Sequence, residues 1–178
     1  MNVSWTLVLA LTGAVTAAPA AAAAELSARL SPLRPLVGKT WRGTFPESKP
    51  DKPMVDVSRF EVALNGQAVR NLHAINDGEY GGETLMVWDQ EKQAIVFYYF
   101  TTAGFYTTGT MRGEDGALVS HEHVKGGADG ITEVRGTFRL LPDGRLHVKT
   151  EYRKDGQWGP GRDMHYAEAP GAEVKFRD

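Results

Sequence analysis

The segment His121-Glu122-His123 is the first place where residue types and spacing suggest chemistry. Two histidines at i and i+2 on a strand project from one face. A metal would take such a pair together with a carboxylate or a third histidine from a neighbouring strand. A three-residue turn at Glu114-Asp115-Gly116 sets His121 beside Gly109 and His123 beside Thr107. Neither neighbour is a ligand, and Glu122 projects the other way, so no metal is assigned. Ser120 adjoins His121, but consecutive strand residues face opposite sides and cannot pair as nucleophile and base. The chain has no cysteine, no Gly-x-Ser-x-Gly elbow, no phosphate-binding glycine loop and no His-Glu-x-x-His. No catalytic residue is assigned. An enzyme would have to work through His73 or through His121/His123.

Binding is the better-supported chemistry. His73 and Asn71 share a strand face with Phe60 and Val62. Polar groups on an apolar wall cost free energy unless hydrogen-bonded, so they are either a satisfied core pair or ligand contacts. Residues 97–102 and 105–108 are dense in aromatics and hydroxyls. Half of these must face inward, where they would line a cavity. The outward half would form a contact patch or lie under the N-terminal segment.

The elements that hold these residues are hairpins. From Gly38 onward, β-branched and aromatic runs of roughly seven to ten residues alternate with glycine-containing turns, the pattern of an up-and-down sandwich or barrel. Asn65-Gly66 suits a type I′ turn, because both residues tolerate positive φ. It places Glu61 opposite Arg70, a favourable cross-strand pair. Pro142-Asp143-Gly144 predicts a three-residue loop, with Arg135 facing Glu151 and Glu133 facing Arg153. Lys154-Asp155-Gly156, taken the same way, sets Tyr152 against Trp158 on the inner face, which Arg162, Met164 and Tyr166 share. It also sets His147 against Asp163 on the outer face, where His165 falls too. The turn near Ala103-Gly104 puts Gly109 opposite Tyr98, an aromatic covering a glycine. Residues 26–37 alone have helical character, cut short by Pro32 and Pro35. The expectation is an all-β, antiparallel up-and-down barrel of about ten strands behind a short N-terminal helix or turn, closed so that no edge is exposed.

Residues 1–24 of the 178 carry no Asp, Glu, Lys or Arg. An apolar run over residues 5–11, then a small-residue stretch ending before Glu25, predicts a signal peptide. The alternative is an uncleaved anchor, against which Pro19 and the alanine-rich tail argue. Residues 25–178 then form one barrel domain without a membrane span, in the periplasm or secreted. With no cysteine, packing alone must hold it in an oxidising compartment. Twenty Lys and Arg against 22 Asp and Glu give no basic excess, so nucleic acid is not expected as a partner.

Gly38-Lys39-Thr40-Trp41-Arg42-Gly43 opens the first strand and, with Asn65-Gly66, Tyr80-Gly81-Gly82-Glu83 and residues 98–110, resembles the calycin folds. These are the lipocalins, fatty-acid-binding proteins and nitrobindin-like barrels. The chain is most similar to a lipocalin-like family of bacterial exported proteins. That resemblance implies Trp41 at the closed end of the barrel beneath a late-strand arginine, here Arg162. Arg162 then either stacks on Trp41 or meets a ligand carboxylate, as in fatty-acid-binding barrels. The expected ligand contacts are Arg162, Asn71 and His73 as polar groups among Phe60, Tyr98, Tyr152 and Trp158. The expected partner is a small apolar or amphipathic molecule, with no cofactor assigned; haem, as in nitrobindin-like barrels, is a variant. The rival is an envelope structural or interaction protein whose barrel is filled by its own side chains. An open interior carrying polar groups separates the two.

Overall fold

A computed structural model describes residues 24–127 and 129–177; the expected signal segment, 1–24, lies almost wholly outside them. Ten strands follow one short 3-10 turn, Ala28–Leu33: β1 Thr40–Thr44, β2 Val55–Ala63, β3 Ala68–Ile75, β4 Tyr80–Asp89, β5 Ala94–Thr101, β6 Tyr106–Glu114, β7 Ala117–Lys125, β8 Ile131–Leu140, β9 Leu146–Lys154 and β10 Gln157–Glu168. Each strand pairs antiparallel with its sequence neighbour, and β10 returns to β1. The barrel is closed, which satisfies every ladder and leaves no edge.

The N-terminal segment plugs one end. Leu30 and Leu33 in the 3-10 turn are fully buried, together with Trp41 at the start of β1. Each such side chain contributes roughly 1.5–3 kcal/mol. Ser27 N–H donates to the Gly66 carbonyl at 2.9 Å, fastening the segment to the β2–β3 turn. Gly66 has φ +89°, and a Cβ there would lie 1.9 Å from the Glu25 carbonyl oxygen, so only glycine fits.

Two turns form with the expected register. Asn65 and Gly66 take φ 53° and 89°, Gln67 N–H closes onto the Leu64 carbonyl, and Glu61 faces Arg70. Around Pro142-Asp143-Gly144, Arg135 faces Glu151 and Glu133 faces Arg153. Three turns differ by one residue. Asp115-Gly116 and Asp155-Gly156 both take paired positive φ and form two-residue loops, pairing Glu114 with Ala117 and Lys154 with Gln157. Gly109 faces Phe97 rather than Tyr98. Proline at 142 fixes φ near about −65°, which excludes a type I′ turn. Glu114 and Lys154 impose no such constraint, and Asp-Gly then closes the tighter loop.

A one-residue slip exchanges the two faces of a strand. Tyr98 is therefore 50% exposed on the outer wall, and Tyr99 occupies the interior. Trp158 pairs with Arg153 and lies outside, under the Arg135 guanidinium at 4.0 Å. Glu122 turns inward, while His121 faces Glu133 on the outer wall. A bulge between Pro160 and Asp163 shifts β10 once more, bringing His165 rather than Asp163 opposite His147 and returning Met164 and Tyr166 to the interior.

Candidate functional site

The barrel encloses a cavity of about 690 Å³. Its floor, toward the plugged end, is made by Leu36, Trp41, Phe60, Met111, Leu118 and Leu146. Its mouth lies at the other end, between the β5–β6 and β7–β8 connections, where Phe105, Gly126 and Gly127 join the lining. The polar lining gathers near the mouth because its residues sit close to the strand ends there. Asp56 is the second residue of β2, Tyr80 opens β4, Thr107 is the second of β6, and Tyr99 and Tyr152 precede the ends of β5 and β9 by two.

Five polar groups of the lining form one hydrogen-bonded chain across five strands. Tyr166 O–H donates to Asp56 Oδ2 at 2.9 Å. Asp56 Oδ1 lies 3.0 Å from His73 Nδ1, and His73 Nε2 lies 2.7 Å from the Tyr99 hydroxyl. The Tyr99 and Tyr80 hydroxyls are 3.1 Å apart. A carboxylate only accepts, so His73 Nδ1 carries the proton that faces Asp56. Burial raises the phenol pKa values of Tyr99, Tyr166 and Tyr80. All three are held neutral as hydrogen-bonding groups.

Glu122 projects into the same space and accepts from the Thr107 hydroxyl at 2.7 Å. Burial raises its pKa, against the Thr107 bond and the Arg162 charge, which lower it. The Arg162 charge acts in the same lowering sense on Tyr80, Tyr99 and Tyr166, so these groups surround one volume.

The sequence-expected contacts divide. Phe60, Asn71, His73, Tyr152 and Arg162 line the cavity. Tyr98 and Trp158 are on the outer wall. Asn71 is engaged already, donating to Ser58 Oγ at 2.8 Å. Arg162 is exposed at the mouth with its guanidinium 5.0 Å from the Phe45 ring, so the expected stack on Trp41 is replaced. The Lys39 ammonium lies 5.3 Å from the Trp41 ring instead, and the buried Trp41 Nε1–H has no partner among the described residues. Asp56, Tyr80, Tyr99, Glu122 and Tyr166 were not among the expected ligand contacts. For Tyr99 and Glu122 the signal was the Asp-Gly or loop register; for Asp56 none was visible, because its partners are 17 and 110 residues away.

The other histidines lie outside. His121 Nε2 is 2.7 Å from Glu133 Oε2, and Arg153 also pairs with Glu133. His147 Nε2 is 2.7 Å from Asp163 Oδ1, and His147 stacks on His165 with centroids 4.5 Å apart.

No protein-family model matches the chain, and no curated protein matches it in sequence. Among solved structures it is similar to Rv2717c from M. tuberculosis. The TM-score is 0.55 at 15% identity, over 80% of this chain and 96% of that one. The likeness is one of fold.

Proposed function

We propose that this protein is an exported, calycin-like barrel that binds a small, largely apolar or amphipathic molecule in the periplasm or after secretion. The observation that carries the reading is the open cavity, apolar at its floor and polar toward its mouth. Such a gradient suits a guest whose apolar body enters first and whose polar end stays among Tyr80, Tyr99, Glu122 and Arg162. A barrel filled by its own side chains would leave no such volume.

Haem is not assigned. His73 is the one histidine lining the cavity among the described residues, and both its ring nitrogens are engaged. An iron at Nε2 would displace Tyr99. Thermal-shift titration with fatty acids, bile acids, quinones and haem tests the proposal. Stabilisation by at least one amphipathic class is expected, growing with concentration as linkage requires. A flat response to the whole panel counts against it.

A further inference from the structure

We propose that the Asp56–His73–Tyr99–Tyr80 chain is a proton-coupled selector, which makes the cavity choose between a ligand hydroxyl and a ligand carbonyl according to the charge on His73. This deepens the ligand-binding reading and rests on it.

Asp56 has both oxygens engaged by donors, Tyr166 O–H and His73 Nδ1–H. With His73 neutral, Nε2 is an acceptor and takes the Tyr99 proton. Tyr99 oxygen then accepts from Tyr80 O–H, and the proton of Tyr80 is used up inside the wall. What the cavity sees at Tyr80 is a lone pair, which binds a donor: an alcohol or phenol hydroxyl. With His73 protonated, Nε2–H donates to Tyr99, Tyr99 O–H donates to Tyr80, and the Tyr80 proton is freed toward the cavity. It now binds an acceptor: a ketone or quinone oxygen. Each state satisfies every group between Asp56 and Tyr80, so neither orphans a buried donor. The two arrangements differ only by rotation of two hydroxyls and one proton on imidazole, the side chain whose ordinary range spans neutral pH.

Other groups bear on this chain from every side. Tyr166 and Arg162 face it from β10, Glu122 from β7 and Tyr152 from β9. Glu122, whose pKa burial raises, is a second group in the cavity that can exchange a proton, so the test must separate it from His73.

The probes are 1-tetralone and 1-tetralol, which share a bicyclic body and do not ionise. The ketone can only accept, so it gains a partner only when the Tyr80 proton is free, whereas the alcohol can donate or accept. Isothermal titration of the full barrel at about pH 5 and pH 8 brackets the histidine range. The ketone-to-alcohol affinity ratio is expected to be about tenfold higher at the lower pH, one net hydrogen bond's worth. Tyr99→Phe severs the chain while leaving His73 on Asp56, and is expected to make the ratio independent of pH. Glu122→Gln is expected to alter the affinities for both probes while keeping the pH dependence of their ratio. Binding of both probes with a pH-independent ratio, or a dependence lost in Glu122→Gln and kept in Tyr99→Phe, overturns the selector and leaves the binding reading standing. Failure of either probe to bind overturns the selector, and the binding reading then stands or falls on the amphipathic panel alone. On the ligand-free protein, imidazole ¹⁵N spectra should show neutral His73 as the Nδ1–H tautomer; the Nε2–H tautomer would overturn the proton direction regardless of binding.

Discussion

Gly82 lies directly across the ladder from His73, and a Cβ on it would sit 2.6 Å from Cε2 of Tyr99. The missing side chain is what lets the Tyr99 ring reach over β4 to the imidazole. The same Cβ would lie 2.1 Å from the Phe100 carbonyl oxygen, so the backbone has no room to yield. Gly82→Ala should therefore cost about 1–3 kcal/mol, as overpacking does. Urea denaturation measures this. An alanine variant as stable as wild type would mean that Tyr99 does not occupy this position.

Glu122 gives a pH prediction of definite sign. Its pKa is raised in the folded state by burial, so between its unfolded value, about 4.3, and the folded one the native state binds more protons than the unfolded. Stability contributed at this site thus falls as pH rises through that window. Glu122→Gln keeps an acceptor for Thr107 and removes the titration. It should melt higher than wild type at pH 8, with the gap closing as pH drops below about 4. Calorimetry across that range checks it; a variant that melts lower at pH 8 would show a carboxylate stabilised in place.

Arg162 sits exposed at the mouth over Phe45, away from Trp41. Arg162→Met should change stability by no more than about 0.5 kcal/mol, the range for exposed positions. It should weaken binding of amphipathic anions more than of neutral analogues, because only the former lose a charged partner. Thermal shifts with a fatty acid and its methyl ester read the difference. Equal loss for both would place the arginine's contribution in packing.

The architecture was legible because it rests on local chemistry. Asn65-Gly66 and Pro142-Asp143-Gly144 each prescribe one turn geometry, and their flanking charges fix which residues face each other. Asp115-Gly116 and Asp155-Gly156 admit two loop lengths, and the choice between them exchanges the faces of whole strands. That is why Trp158 was placed inside; the turn near Ala103-Gly104 leaves the same one-residue choice, and there Tyr98 stood in for Tyr99. The chain from Tyr166 to Tyr80 was illegible for another reason. It joins β10, β2, β3, β5 and β4, and nothing local in any one strand announces partners that closure alone brings together.

The central claim is that the barrel holds a guest. Native mass spectrometry of protein purified from the compartment in which it accumulates tests this most directly. The account predicts a signal-processed chain carrying an added mass that is lost on denaturation. It predicts further that Glu122→Gln and Tyr99→Phe change the retained fraction, while Trp158→Ala on the outer wall does not. A bare chain in the native spectrum, with no mass recovered from any preparation, would contradict it.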